Sequence, residues 1–279
     1  MLRRALYFAY GTVCYLVFLA TFLYALGFVG GFLVPTALDG EAGMPLGRAL
    51  AIDLGLLALF AVQHSVMARN GFKERWTRIV PAPLERSTYV LFSSVALVAL
   101  FAFWQPLGGV VWEIESPPGQ ALVWSLFAFG WGLVLLATFL INHFDLFGLR
   151  QVWFYLRGRE YRPLSFVTPG PYKLVRHPLY LGWLFAFWST PRMTGAHLVF
   201  AVMTTDYILI AIRLEERDLV RAHGLPYETY RGRTPMILPS FVRRRASRLL
   251  GNASRAAFVF FLVKGLLWLL VPAALLLAG

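Results

Sequence analysis

The chain has 279 residues, of which 58% are hydrophobic and only 14% are charged, and its formal net charge is +12. Soluble domains are about 45–50% apolar and about 25% charged, so this composition excludes an ordinary soluble domain and predicts an integral membrane protein. The single cysteine, Cys14, lies in an apolar run. It leaves no partner for an intrachain disulfide or for a cysteine metal site.

Long apolar runs follow one another along the chain, and each is close to the ~20 residues that a membrane-spanning helix needs. Their apolarity is continuous instead of alternating with a period of two, so they predict helices and not the strands of a barrel. The first run is too long for a signal-peptide core and is interpreted as a retained helix. The runs lie at about 5–34, 49–68, 89–104, 121–142 and 256–278.

A further apolar stretch, Leu179 to Ile212, contains only Arg192 and Asp206 as charges and is broken near Pro191 and Gly195. This pattern predicts a hairpin of two short helices that cross most of the membrane and return. Together with the other runs it predicts an all-α fold, a polytopic integral membrane helical bundle with six or seven crossings.

Two carboxylates, Asp53 and Asp206, lie deep within apolar stretches. Such groups usually face the interior of a bundle and have a partner there. Asp206 comes seven residues before Arg213, on the same face of a helix, so a structural ion pair is one interpretation. A proton pathway is the alternative.

Basic residues concentrate in two loops between the apolar runs. Residues 69–86 carry five basic and two acidic residues, and residues 145–178 carry six and two. The segments around Asp39 and Glu113 are acidic by comparison. The positive-inside rule then predicts a multi-pass inner-membrane protein with both basic loops, the N-terminus and the active site in the cytoplasm. Because this distribution explains the net charge, the lipid bilayer is the expected partner and no nucleic acid is predicted.

The sequence contains no linker or repeat that would divide it, and it predicts one membrane domain at residues 1–240. A cytoplasmic pocket of that domain is expected to form mainly from residues 168–231. Residues 241–279 are predicted to form a basic linker and a C-terminal apolar helix. The linker arginines are expected to lie on anionic lipid headgroups: Arg243, Arg244, Arg245 and Arg248. The sequence predicts no oligomeric state.

Charged residues of opposite sign stand at the two ends of the hairpin. The segment Arg176-His177-Pro178-Leu179-Tyr180-Leu181-Gly182 opens its first helix, and Glu215-Glu216 follows its second. Since a hairpin returns to the face where it began, both groups are expected at one place on the cytoplasmic side. Ionisable groups at a membrane boundary are costly unless they are solvated, paired or used. The residues alone leave open a ligand site and ordinary helix-end pairing, such as Arg213 with Glu216.

Three of the five histidines, His64, His143 and His177, fall at the cytoplasmic ends of predicted helices beside other polar residues. They predict one polar chamber on that face. The alternative is that each lies at headgroup depth as an amphipathic side chain. A catalytic metal is not predicted, because the sequence has neither an HExxH-type spacing nor a cysteine partner.

The hairpin motif resembles the RHPxYxG…EE signature of integral-membrane methyltransferases of the isoprenylcysteine carboxyl methyltransferase type, which bind S-adenosylmethionine without a Rossmann domain. Up to about Pro239, the chain also resembles the bacterial methanethiol S-methyltransferases, relatives of the NnrU-like membrane proteins. The segments that carry this likeness are Gln63-His64-Ser65-Val66-Met67-Ala68-Arg69, Glu85-Arg86-Ser87-Thr88-Tyr89, Asn142-His143-Phe144-Asp145-Leu146-Phe147-Gly148-Leu149-Arg150 and Pro191-Arg192-Met193-Thr194.

The resemblance implies methyl transfer from S-adenosylmethionine to a small thiol, methanethiol, giving dimethyl sulfide and S-adenosylhomocysteine. It also implies that the cofactor binds between the Arg-His-Pro turn and the glutamate pair. The cofactor-binding residues carried over from the family pattern are Arg176, His177, Tyr180, Gly182, Glu215 and Glu216. Tyr172, Tyr227 and Arg231 are added from their positions beside the motif.

Methylation of sulfur needs a thiolate, and a thiol with a pKa of about 8.5 is mostly protonated near neutral pH. We therefore expect a catalytic histidine, His64 or His143, to take the proton or steer the thiol. Two other functions remain open. One keeps the cofactor and changes the acceptor to a lipidated cysteine carboxylate, a phospholipid amine or another small thiol. The other is a non-enzymatic NnrU-like transporter or assembly factor, which would not bind S-adenosylmethionine.

Overall fold

The computed structural model describes residues 1–239. In chain order the helices are α1 (Leu2–Gly30), α2 (Leu46–Ala68), α3 (Asn70–Trp76), α4 (Ala82–Phe103), α5 (Pro117–Ile141), α6 (His143–Leu146), α7 (Leu149–Leu156), α8 (Pro178–Trp188), α9 (Gly195–His223) and α10 (Leu225–Arg233). Two short strands, β1 (Val110–Glu113) and β2 (Arg192–Thr194), pair antiparallel. A 3₁₀ helix covers Gly170–Lys173. The predicted all-α fold class is confirmed.

Five of these helices, α1, α2, α4, α5 and α9, are long and apolar enough to cross a membrane. The sixth apolar helix, α8, is shorter. The prediction of a polytopic helical membrane bundle is therefore confirmed, with six hydrophobic helices in the part of the chain that the structure describes. The predicted basic linker and C-terminal apolar helix, residues 241–279, fall outside the described residues.

The predicted hairpin of two short helices is wrong for its second helix. α8 has 11 residues, or about 16 Å at 1.5 Å per residue, whereas α9 has 29 residues and is about 43 Å long. The apolar run marks only the part of α9 that lies in hydrocarbon. The helix continues through the charged residues after Ile212 and ends at Gly224, which has φ 58°.

Two glycines bring α5 and α8 into close contact. A Cβ atom at Gly130 would lie 2.5 Å from the backbone nitrogen of Ala186, and a Cβ atom at Gly182 would lie 2.8 Å from the carbonyl oxygen of Gly130. Small residues at such a crossing let backbones approach in a membrane, where van der Waals packing drives helix association. Gly182 therefore anchors the start of α8 on α5, and this packing accounts for a glycine at that position of the motif.

Aromatic side chains fill the centre of the bundle, where they pack edge to face or offset. They come from α1, α4, α5 and α9, and the buried ones are Phe22, Phe28, Phe101, Trp104, Phe127, Trp131 and Phe200. This core holds the spanning helices in a fixed arrangement. The polar side chains of the site therefore project from a rigid frame.

The turn between α8 and α9 is tied to the loop that follows α1. Nδ1 of the buried His197 lies 3.2 Å from Oδ2 of Asp39, and its Nε2 lies 2.9 Å from the carbonyl oxygen of Phe187. Thr194 Oγ1 donates to the other oxygen of Asp39 and accepts from the backbone N–H of His197. We call this group, Asp39, Thr194 and His197, the turn clasp.

Candidate functional site

The two charged groups at the ends of the hairpin meet in space. Nε of Arg176 donates to Oε1 of Glu216 at 2.6 Å, and Nε2 of His177 lies 3.1 Å from the same oxygen. The side chains of Arg176 and Glu216 are only 12% and 13% exposed, and His177 is buried. We call this group, Arg176, His177 and Glu216, the motif clasp. It joins the start of α8 to the far end of α9.

The motif clasp also holds the segment that follows α10. The backbone N–H of Arg176 donates to the carbonyl oxygen of Pro235 at 2.8 Å. The backbone N–H of His177 donates to the carbonyl oxygen of Met236 at 3.2 Å. Nη1 of Arg176 donates to the carbonyls of Arg231 at 3.0 Å and Thr234 at 2.5 Å. A guanidinium has five N–H donors. These contacts use Nε and Nη1 of Arg176, so Nη2 is the nitrogen that they leave for a ligand.

Glu215 differs from its neighbour in its access to solvent. Its side chain is 44% exposed, and its Oε2 lies 4.0 Å from Nδ1 of His177. The hydroxyl of Tyr180, from the first turn of α8, lies beside the Glu215 carboxylate. Successive helix residues point about 100° apart, which explains why Glu216 turns into the motif clasp while Glu215 faces an accessible space. Glu215 is thus the carboxylate that a ligand can reach.

Tyrosines from the 3₁₀ helix and from α10 surround the motif clasp. The hydroxyl of Tyr230 donates to the carbonyl of Tyr172 at 2.5 Å, and the ring of Phe166 packs against Tyr227 and Tyr230. Burial raises the pKa of Tyr172 and that of Tyr227, and it raises the pKa of Tyr230 to about 12. These phenols therefore stay neutral near pH 7 and can donate hydrogen bonds.

Tyr227 is 1% exposed, and its hydroxyl has no hydrogen-bond partner among the described residues. Buried polar groups normally have a partner, and this hydroxyl is one of six such side-chain atoms without one among residues 1–239. The side chain of the predicted Arg231 is exposed, and only its carbonyl joins the motif clasp. Tyr230 follows Tyr227 by three residues, which puts both on one helix face. Phe166 was missed in the sequence, because no motif includes it.

His64 lies among polar and aromatic side chains of α2, α4 and α9. Its Nε2 is 2.9 Å from the hydroxyl of Tyr89, and its Nδ1 is 3.1 Å from Oγ of Ser93. Next to it on α2, Ser65 forms a hydrogen bond of 3.2 Å with the hydroxyl of Tyr207 on α9. The polar surroundings of His64 therefore include hydroxyl groups from both α4 and α9.

His143 has a different environment, between α1 and the end of α5. Its Nε2 lies 2.9 Å from the hydroxyl of Tyr15, and its Nδ1 lies 2.9 Å from Oγ1 of Thr138. Its ring stacks on Phe139 at 4.2 Å, and burial lowers the pKa of His143. The three histidines therefore have different hydrogen-bond partners: His143 fastens α1 to α5, His64 binds α4 and His177 binds α9. Their predicted grouping in one chamber stays a prediction.

A groove of about 500 Å³ lies between α1 and α7. It is lined by Phe8, Thr12, Asn142, Phe144, Leu149, Arg150, Trp153 and Phe154. None of these residues belongs to the motif clasp, and Arg150 is already paired with Asp145 at 2.8 Å. The candidate site is therefore the polar space beside Glu215 and not this groove. No cluster of metal-binding side chains occurs among residues 1–239.

Comparisons of the sequence with known proteins identify relatives of this chain. No protein-family model and no solved structure matches the chain. A methanethiol S-methyltransferase of Crocosphaera subtropica is 56% identical over 238 residues, which are 85% of this chain and 93% of the relative. One of Mycobacterium tuberculosis is 50% identical over 85% of this chain and 98% of its own length. Nurim of Xenopus laevis is 32% identical over 65% of this chain and 69% of its own length. The chain therefore belongs to the methanethiol S-methyltransferase family.

Proposed function

We propose that this chain is a membrane enzyme that methylates methanethiol to dimethyl sulfide with S-adenosylmethionine as the methyl donor. The observation that carries the proposal is the accessible Glu215 carboxylate beside the nearly buried Arg176–Glu216 pair. The motif clasp offers a place for the donor. The names of the relatives support the choice of acceptor.

S-adenosylmethionine carries an ammonium group, a carboxylate, ribose hydroxyls and an adenine ring, and the residues present fit these groups. The Glu215 carboxylate can accept hydrogen bonds from the ribose hydroxyls or the ammonium group, and Nη2 of Arg176 can donate to the carboxylate. The partnerless hydroxyl of Tyr227 would gain a partner. The rings of Tyr172 and Phe166 provide flat apolar surface for a base. When bound there, S-adenosylmethionine supplies an electrophilic methyl group on a sulfonium ion.

The chain contributes alignment and proton handling to the reaction. α8 and α9 would hold the donor side, and α2 and α4 would hold the acceptor side, so both reactants would lie against rigid helices. Alignment of this kind supplies on the order of 7–11 kcal/mol in favourable cases. The aromatic lining beside the site also suits a small apolar thiol, because it excludes water from the reacting sulfur.

We place the acceptor sulfur beside His64 and propose that this residue, and not His143, takes the thiol proton. The partners of His64 are hydroxyl groups, which donate or accept as needed, so one ring nitrogen can receive a proton. His143 has hydroxyl partners of the same kind, Tyr15 and Thr138, but it lies between α1 and the end of α5 and has no hydrogen bond to the α9 side among the described residues. The deprotonated thiol would then be held next to Tyr207 and Tyr180, whose hydroxyls can donate to a thiolate.

The charge distribution supports a cytoplasmic site. The basic loops follow α2 and α5, at the end of the bundle that carries the motif clasp, whereas Asp39 and Glu113 lie at the end that carries the turn clasp. By the positive-inside rule we propose that the motif clasp and the N-terminus face the cytoplasm of an inner-membrane protein. Cysteine labelling of each loop in intact cells would test this orientation.

The activity can be tested with purified full-length protein in lipid nanodiscs. With methanethiol and S-adenosylmethionine we expect dimethyl sulfide in the headspace, measured by gas chromatography. The surface variant Glu160→Gln should keep this activity, since that side chain is 83% exposed and pairs only at 4.0 Å. Methylation of a larger acceptor without dimethyl sulfide would contradict the proposed acceptor. Absence of S-adenosylmethionine binding by calorimetry would contradict an enzymatic function.

The role of His64 can be tested against His143 as the matched variant. We expect His64→Ala to lower kcat while the affinity for S-adenosylmethionine is kept. Turnover of this variant should recover as pH rises, because more of the thiol then ionises without a base. His143→Ala protein that remains folded should keep the wild-type dependence of turnover on pH. If both variants show wild-type turnover with normal cofactor binding, neither histidine handles the proton.

A further inference from the structure

One face of α9 is exposed along the part of the helix that crosses the membrane, and it carries a carboxylate. Its residues recur at spacings of three and four, which puts them on one side of a helix: Met203, Asp206, Ile210, Arg213 and Arg217. We call this set the α9 stripe. Glu215 comes nine residues after Asp206, which is about 180° around the helix. The α9 stripe therefore faces away from the candidate site.

Asp206 lies inside the membrane-spanning part of α9. It follows Gly195 by 11 residues and precedes Ile212 by six, or about 16 Å and 9 Å along the axis. Those distances place it within a hydrocarbon core of about 30 Å. Within residues 1–239 no ion pair includes Asp206, and the sequence-based pairing with Arg213 is not formed. A carboxylate at this depth normally faces a partner.

The C-terminal apolar run contains a charge of the opposite sign. Lys264 is the one charged residue between 256 and 278. It follows Arg255 by nine residues, which would be about 13.5 Å along a helix. Asp206 is about 15 Å from Glu216 along α9. If the run formed a helix that started at the motif-clasp side, Lys264 would therefore come level with Asp206.

We propose that the apolar run at 256–278 packs on the α9 stripe and that Lys264 forms an ion pair with Asp206 in the membrane. The 16 residues from 240 to 255 reach about 50 Å when extended, which is ample to return the chain to α9. A second copy of the protein fits the stripe less well. A two-fold contact through this face would bring two Asp206 carboxylates together.

Cysteine cross-linking of the full-length chain in membranes tests the contact. In a Cys14→Ala background, an antiparallel register pairs Ile210 with Phe260, so both are replaced by cysteine. A protease site is added at residues 240–245, and the two fragments are separated on a non-reducing gel after oxidation. We expect them to stay joined at the mass of one chain.

The matched control replaces Leu16 and Phe260 by cysteine, because Leu16 is exposed at the middle of α1, which packs on α4 and α7. Its fragments should separate. Fragments of the Ile210→Cys and Phe260→Cys protein that separate would overturn the proposal. So would joining at twice the mass of one chain, which would mean that a second copy covers the stripe.

Charge exchange tests the ion pair itself. Asp206→Lys and Lys264→Asp should each reduce the yield of folded protein in the membrane several-fold, since each leaves two like charges inside the membrane. The double variant should restore most of the wild-type yield. Asp206→Lys with Lys264 replaced by Leu serves as the matched variant that cannot re-form the pair. Equal yields from the exchanged and the matched double variants would overturn the proposed pair.

Discussion

α9 is held near both ends by a buried histidine that contacts a carboxylate. The two ends differ in the polar groups that remain available to a ligand. In the turn clasp, His197 uses both ring nitrogens and Asp39 uses both oxygens. In the motif clasp, His177 and Arg176 share one oxygen of Glu216. Beside that end lie the accessible Glu215 and the hydroxyl of Tyr227, which has no hydrogen-bond partner within residues 1–239.

The comparison separates structural from ligand-binding polar groups. A histidine against a carboxylate is not by itself a sign of catalysis, because the turn clasp has that pair and closes on itself. The motif clasp differs because polar groups that the fold does not pair, the Glu215 carboxylate and the Tyr227 hydroxyl, lie beside it among the described residues. We therefore propose that, of the two adjacent glutamates in the motif, Glu216 stabilises the fold and Glu215 binds the ligand. Four substitutions can break or sharpen this distinction.

The largest effect is expected from Glu216→Gln. The substitution leaves the nearly buried Arg176 guanidinium without its counter-charge, and breaking a buried pair in this way costs about 3–5 kcal/mol. We expect a clear drop in the thermal unfolding midpoint in detergent, together with loss of activity. Glu160→Gln, at an exposed pair, is the control. An unchanged midpoint would mean that the motif clasp does not hold the fold.

Glu215→Gln should reduce cofactor binding without affecting stability. A hydrogen bond to a charged group contributes about 1.5–3 kcal/mol, so the affinity for S-adenosylmethionine should fall on the order of 10- to 100-fold. Isothermal titration calorimetry measures the affinity, and the unfolding midpoint should match that of the wild type. If Glu215→Gln behaved like Glu216→Gln in the unfolding measurement, the two glutamates would not have separate roles.

Asp39→Asn should lower stability and leave cofactor binding unchanged, which is the reverse of the result expected for Glu215→Gln. It weakens the partner of the buried His197 in the turn clasp, at a cost of about 1–2 kcal/mol in the free energy of unfolding. The affinity for S-adenosylmethionine should stay unchanged, because the turn clasp lies at the other end of α9. A loss of affinity at an unchanged unfolding midpoint would place the turn clasp in the ligand site.

The smallest effect is expected from Tyr227→Phe. Removing a hydroxyl that has no partner should leave stability unchanged or slightly higher, while cofactor affinity falls by about 0.5–1.5 kcal/mol. Tyr230→Phe is the matched substitution on the same helix, and it should lower stability because its hydroxyl donates to the Tyr172 carbonyl. Equal effects of the two substitutions on affinity and stability would remove the distinction between them.

Much of the fold could be predicted from the order of the residues along the sequence. Apolar runs near 20 residues locate the spanning helices, because the bilayer sets a length that the composition must meet. The same reasoning underestimated α9, since helical hydrogen bonding continues where the charged residues after Ile212 reach water. The motif was also found from sequence, but Gly182 within it is explained by close packing against Gly130 on α5.

The sequence by itself determined that this protein crosses the membrane several times and that opposite charges stand at both ends of its hairpin, because hydropathy and charge are local properties. Only the tertiary structure decided that Glu216 closes the motif clasp while Glu215 stays accessible. It also decided that His64 lies on the α9 side of the bundle and His143 against α1. Those outcomes depend on how α8, α9 and the segment after α10 pack together, and packing joins residues that are 40 or more positions apart in the chain.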